Sequence, residues 1–189
     1  MNMSFFNLLM VGLAVSGCFF LLAAFAFWYV SSENITFYER LSRNRVVGVI
    51  IAAGALAWCV PQAEALAWDF LSRKLWLLAG GFTLAAYFFL DFLFSRAIGG
   101  LMILAAYYFL RESFAYDIHG AVPGAIIAWS IGLIGIIFSA KPCLLRDWFR
   151  LAARKSSVKY LSIAYFLLVA MYSWVAFIWN LGGWNANSL

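Results

Sequence analysis

The chain has 189 residues, of which 66% are hydrophobic and only 11% are charged. Globular domains contain about 45 to 50% apolar and about 25% charged residues, so this composition excludes a water-soluble domain and indicates an integral membrane protein. The net charge of +5 comes from basic residues scattered among short loops, where they act as topology signals and as contacts for anionic lipids. Nucleic acid is therefore not an expected partner.

Uncharged apolar segments divide the chain into membrane spans. An α-helix needs about 20 residues to cross the hydrocarbon core, and the first segment, residues 5–30, exceeds that length. No linker or change of composition marks a second domain. We therefore predict one polytopic domain over residues 1–189, an all-α integral membrane protein built as a six-transmembrane helix bundle. The six predicted spans are about 5–30, 46–66, 75–90, 97–113, 121–140 and 160–180.

Two of the predicted spans are short. The uncharged run of the second ends after 15 residues, before Pro61, so the helix must continue through the proline or cross a thinned bilayer. The fourth is uncharged only over residues 97–110, about 21 Å at about 1.5 Å per residue, against a core of about 30 Å. We therefore expect Arg111 and Glu112 to lie at the membrane boundary.

Between the fifth and sixth spans, residues 143–159 show apolar side chains at helical spacing and a basic stripe on another face. This pattern predicts a short cytoplasmic amphipathic helix that lies in the membrane interface. The residues expected to contact lipid headgroups are Arg146, Arg150, Arg154 and Lys155.

The basic residues also predict the orientation of the bundle. With six spans, ten Lys and Arg side chains fall in loops on one side of the membrane and three on the other. Because basic loops are retained in the cytoplasm, we expect both termini on the non-cytoplasmic side of the cell (inner) membrane. Residues 111–120 then form an outer loop.

A stripe of small residues marks one face of the fifth span. It consists of Gly120, Gly124, Ala128 and Gly132, which are spaced four apart. Small residues let another helix backbone approach closely, and such contact holds helices together in lipid. The stripe predicts a helix-packing face, and both another span of this chain and another protein remain open as its partner.

Four polar residues from the end of the fourth span to the start of the fifth are the candidates for catalysis: Arg111, Glu112, Asp117 and His119. A histidine beside carboxylates can take or give protons near neutral pH. The alternative is a structural outer loop whose charges pair. Adjacent helical residues point about 100° apart, so we expect Arg111 and Glu112 to be poorly placed to pair with each other.

The remaining chemistry is sparse. A single histidine excludes a haem bound by two histidines of this chain, the three cysteines show no paired spacing, and no metal site or cofactor is expected. We predict a non-catalytic membrane subunit or scaffold that associates with lipids, including anionic headgroups, and with a membrane-protein partner or a second copy of itself. Two alternatives remain: a transporter or channel for small solutes or lipids, and a membrane-embedded enzyme acting on lipid or envelope substrates at the outer face.

Overall fold

The computed structural model describes residues 3–64, 74–89, 91–115 and 120–187. All regular secondary structure in these residues is α-helical, which confirms the all-α prediction. The helices, labelled in chain order, are α1 (Met3–Tyr29), α2 (Ile35–Ser42), α3 (Arg45–Glu64), α4 (Leu75–Phe89), α5 (Leu93–Ala115), α6 (Ala121–Ala140), α7 (Cys143–Arg154) and α8 (Ser156–Asn187).

Four of the described helices are long and apolar enough to cross a membrane, over Met10–Tyr29, Leu93–Ala115, Ala121–Ala140 and Ser156–Asn180. A bent pair formed by α2 and the first part of α3 would add a fifth, with an angle of 53° between its two arms. The helix α4 is apolar but shorter. The described residues thus contain four to five candidate spans, which supports a membrane protein.

Both short spans become longer in the structure. The helix α3 continues through Pro61 to Glu64, the first of the two alternatives that the sequence left open. The helix α5 begins at Leu93, four residues before the predicted start, and runs for 23 residues, about 34 Å. Its start is set by the turn at Phe92, where φ is +56°, and not by the last charge at Arg96.

The chain forms two compact units. Unit 1 contains the described parts of Met1–Ile35, Tyr107–Ser130 and Phe149–Leu189, and unit 2 contains those of Thr36–Ala106 and Ile131–Trp148. The helices α5, α6 and α7 each contribute residues to both units. The single domain predicted from the sequence stays a prediction.

In unit 1, α1 and α8 pack antiparallel. Lys159 Nζ donates to Val30 O at 2.8 Å, and Ser16 Oγ lies within hydrogen-bond distance of Ser173 Oγ, at 3.2 Å. The two contacts are separated by 14 residues on each of the two chain segments, so the same register holds from one contact to the other. Between them, the ring of Phe166 contacts that of Phe20. These contacts make the α1 and α8 pair the tightly packed part of unit 1.

In unit 2, the antiparallel helices α5 and α6 cross at two glycines. A Cβ at Gly99 would lie 2.6 Å from Gly135 O, and a Cβ at Gly135 would lie 2.7 Å from Gly99 O. The two backbones therefore touch, and larger side chains at this crossing would push the helices apart. The start of α3 packs similarly, because a Cβ at Gly48 would lie 2.6 Å from Phe94 N.

Candidate functional site

The carboxyl end of α5 carries the described part of the predicted polar cluster. Glu112 is buried, with 8% of its surface exposed, and its Oε1 atom lies 3.6 Å from Nε of the half-exposed Arg111. The expectation that these neighbours would be poorly placed to pair was wrong. Although adjacent helical residues point about 100° apart, these two side chains are long and flexible enough for their charged ends to meet. Asp117 and His119 lie outside the described residues.

The hydroxyl of Ser113, next to this pair in sequence, already forms a hydrogen bond. Ser113 is fully buried, and its Oγ donates to Leu110 O at 3.3 Å, a bond that satisfies the hydroxyl within its own helix. Among the described residues, Arg111 is the charged group that the structure brings to Glu112. A buried carboxylate at a membrane boundary is a candidate functional site because burying its charge is energetically costly. Its described surroundings, however, offer a counter-charge and no proton relay.

The small-residue stripe divides into parts with different roles. Gly120 precedes α6 in a turn with φ of +85°, which a glycine adopts without strain, and its carbonyl accepts a hydrogen bond from Tyr172 Oη at 2.9 Å. A Cβ at Gly124 would overlap Tyr172 Oη and lie 2.6 Å from Phe109 Cζ. At Gly124 the stripe therefore packs against helices of unit 1.

Further along the stripe the packing loosens. Ala128 is buried, but a Cβ at Gly132 would meet only the Cβ of Ala106, at 3.4 Å, among the described atoms. That separation is ordinary van der Waals contact. The four small residues are thus not equivalent, and Gly124 is the position where the chain has no room for a side chain.

The serine in α6 is engaged in helix packing. Ser130 Oγ donates to Ile127 O at 2.7 Å and lies 2.6 Å from Tyr165 Oη in α8. Because a hydroxyl has one proton, Tyr165 must donate to Ser130. This geometry links two helices of unit 1 and leaves the serine without the neighbouring base that a nucleophile requires among the described residues.

The basic residues of the predicted interfacial helix lie on α7 and at its end. Arg146 pairs with Asp147 at 3.2 Å, whereas Arg154 and Lys155 are exposed and Arg150 is partly exposed. The opposite face is buried at Leu145, Phe149 and Ala152. Contact between the basic side chains and lipid headgroups stays a prediction.

Two other basic residues have roles that the sequence did not reveal. In unit 1, Lys159 donates to Val30 O just beyond the end of α1, and in unit 2, Arg96 Nη1 donates to Ser139 O in the last turn of α6 at 3.2 Å. Helix ends carry unpaired carbonyls and a partial negative charge, so each cation caps a carboxyl end. The partners lie 129 and 43 residues apart in sequence, and only their cationic character near a span end could have suggested them.

In unit 2, an apolar groove runs between α3 and α4. It has a volume of about 480 Å³. Most of its lining side chains are small, and the rings of Trp76 and Tyr87 lie at its two ends. The small lining residues are Ala53, Ala57, Ala79, Gly80 and Thr83.

No protein family, curated protein or solved structure matches the chain. Within the described residues, no group of three or more His, Cys, Asp or Glu side chains is arranged to hold a metal ion. We therefore infer the function from the packing and exposure of the described helices.

Proposed function

We propose that this protein is a non-catalytic subunit or scaffold of the cell (inner) membrane that associates with another membrane protein through α4. The observation that carries the proposal is the exposure of this helix. None of its described side chains, residues 75–88, is buried, and Leu77 is 76% exposed. This helix packs against α3 on one side and leaves most of its surface for lipid or a partner.

Small residues on the exposed side of α4 favour a protein partner. Gly81 and Ala85 lie one turn apart on the side away from the groove, and no described atom lies within 4 Å of a Cβ at Gly81. Two small residues at this spacing let a second helix backbone approach closely. With 15 residues, α4 is about 22 Å long, and association is one way in which a helix shorter than the bilayer core is accommodated.

The proposal keeps six spans, with α3 and α4 as the second and third and both termini on the non-cytoplasmic side. Two hydrogen bonds support this orientation. Lys159 and Arg96 cap the carboxyl ends of helices that would both end on the cytoplasmic side, where basic residues are retained. The α7 helix, with its buried apolar face, would then lie in the cytoplasmic interface. A reporter fused after residue 184 that reads as cytoplasmic would contradict this orientation.

Purification in mild detergent tests the partnership. We expect a membrane protein or a second copy of the chain to co-purify with the wild type and to be lost from Gly81→Leu. The matched control is Gly100→Leu, which also has no described atom within 4 Å of its Cβ but lies on α5. Equal recovery of the partner with both variants would exclude α4 as the docking helix.

A second candidate function, an enzyme on lipid or envelope substrates at the outer face, is favoured by the burial of Glu112. A buried carboxylate can act as a general acid or base when its proton affinity is tuned by its surroundings. Glu112→Gln keeps the shape of the side chain and removes its charge. Loss of in-cell function with unchanged thermal stability would favour the enzyme, whereas loss of stability alone would show that Glu112 is structural.

A further inference from the structure

The groove between α3 and α4 is apolar along its middle, between the rings of Trp76 and Tyr87. The hydroxyl in that middle part belongs to Thr83, and its Oγ1 already donates to Ala79 O at 2.8 Å. The volume of about 480 Å³ falls in the range of about 300 to 1,000 Å³ typical of ligand sites. A molecule in the groove would therefore be held by apolar contact along most of its length.

The length of the groove suits an extended hydrocarbon chain. Trp76 and Tyr87 are 11 residues apart on α4, about 16 Å along the helix. Between these two rings the lining consists of mostly small side chains of α3 and α4. An extended acyl chain can therefore lie along the groove in contact with both helices.

One end of the groove opens beside exposed charges. Val49 and Tyr87 line this end, and one helical turn beyond them Arg45 Nη2 pairs with Asp91 Oδ1 at 3.1 Å. This ion pair is accessible, because its side chains are 50% and 83% exposed. An anion that approached this end would therefore meet a guanidinium whose partner among the described residues is an exposed carboxylate.

A second arginine lies at the same end of unit 2. Arg43 Cζ is 5.8 Å from the centre of the Phe92 ring. A ring contacts the guanidinium through its face, so the in-plane N–H donors of Arg43 can still bind an oxygen anion. Arg43 and Arg45 together provide the forked donors that recognise phosphate.

We propose that the α3 and α4 groove binds one acyl chain of an anionic membrane phospholipid, whose phosphate contacts Arg45 and Arg43. The groove supplies an apolar surface about 16 Å long and its mouth supplies the complementary charge, which together match an amphiphile with a long hydrocarbon tail and an anionic head. The proposed site uses none of the basic residues of α7. It also does not depend on a protein partner at Gly81 and Ala85, because those residues lie on the other side of α4.

The test measures binding of phosphatidylglycerol and of phosphatidylcholine with the same acyl chains to the delipidated full-length protein, by native mass spectrometry. We expect phosphatidylglycerol to bind more tightly. Ala53→Phe fills the groove and should lower its affinity by about tenfold or more, whereas Ala85→Phe, on the other side of α4, should leave it unchanged. Equal binding of the two lipids to the wild type, or undiminished binding to folded Ala53→Phe, would overturn the proposal.

Substitutions at the mouth separate a lipid site from a structural ion pair. Arg45→Gln should lower phosphatidylglycerol affinity by about tenfold, as expected for the loss of a charge-assisted hydrogen bond. Asp91→Asn removes the competing carboxylate and should raise that affinity several-fold without changing phosphatidylcholine binding. If Ala53→Phe fails to fold, Ala57→Leu replaces it and the Asp91→Asn result stands by itself. Unchanged or weaker phosphatidylglycerol binding by Asp91→Asn would contradict the phosphate contact.

Discussion

The α1 and α8 pair of unit 1 and the α3 and α4 pair of unit 2 are both formed by apolar helices, yet they pack in different ways. Across the first pair, a lysine caps a helix end, two serines form a hydrogen bond and aromatic rings meet. Val169 and Ala170 of α8 are almost completely buried. Across the second pair, small side chains leave a groove of about 480 Å³.

The difference shows what holds helices together in lipid. Lipid tails are as apolar as leucine, so burial of apolar surface gives no driving force between helices, and close contact and interhelical hydrogen bonds take its place. The α1 and α8 pair has both kinds of contact along one register. The α3 and α4 pair has neither at Ala53 and Ala57, and so it can take up another molecule without breaking existing contacts.

The largest effect is expected at Gly124, where α6 packs on α8. Gly124→Leu would place side-chain atoms where Tyr172 and Phe109 already lie, and overpacking of this kind costs about 3 kcal/mol. Gly132→Leu should cost less, because its nearest described neighbour, Ala106, is in ordinary contact. Unfolding in a detergent titration measures both, with Ala125→Leu as the control on the same helix. Equal stability of the three variants would show that Gly124 faces lipid.

The next largest effect tests the cap on α1. Lys159→Met keeps the aliphatic length of the side chain but removes the donor to Val30 O. Val30 is only 1% exposed, so its carbonyl would stay buried without that bond, at a cost of about 2 kcal/mol. Lys155→Met is the matched control, since Lys155 is exposed, and Lys159→Arg should recover part of the loss. A similar loss from both methionine variants would contradict the cap.

Hydrophobic runs predicted most of the helices, because a membrane span must be continuous and uncharged. The predicted fifth span, 121–140, coincides with α6. The start of α5 was missed because Arg96 lies inside the helix and bonds to Ser139 O. A sequence shows the charge but not a partner 43 residues away.

The site residues were predictable only in part. Sequence placed Arg111 and Glu112 at a helix end, but burial of Glu112 depends on the side chains that pack around it. The groove was not predictable either. It exists because Ala53 and Ala57 of α3 lie opposite equally small residues of α4, and which residues lie opposite each other is set by the register of two helices.

The hydrogen bond between Ser16 and Ser173 should have a smaller effect on the free energy of unfolding. Ser173 Oγ donates to Val169 O, and Ser16 Oγ can donate either to Ser173 or to Leu13 O. Because Ser16 has a second acceptor, the interhelical bond should contribute only about 0.6 kcal/mol, the average for such bonds in membranes. A double-mutant cycle with Ser16→Ala and Ser173→Ala measures it. A coupling energy above about 1.5 kcal/mol would mean that this bond contributes far more to the α1 and α8 pair than its geometry indicates.

The smallest effect on stability is expected from a substitution on the exposed helix α4. A Cβ at Gly81 on α4 meets no described atom within 4 Å. The free energy of unfolding of Gly81→Leu should therefore differ from the wild-type value by no more than about 0.5 kcal/mol, as for a surface substitution. The same glycine-to-leucine change that destabilises the protein at Gly124 of α6 would then be tolerated on α4. This difference would distinguish the tightly packed helices from the exposed helix α4. Unfolding in detergent provides the measurement, on samples that contain no co-purified protein. If Gly81→Leu were as destabilising as Gly124→Leu, α4 would have to pack against its own chain on the side that the structure leaves open, and it could not serve as a docking helix.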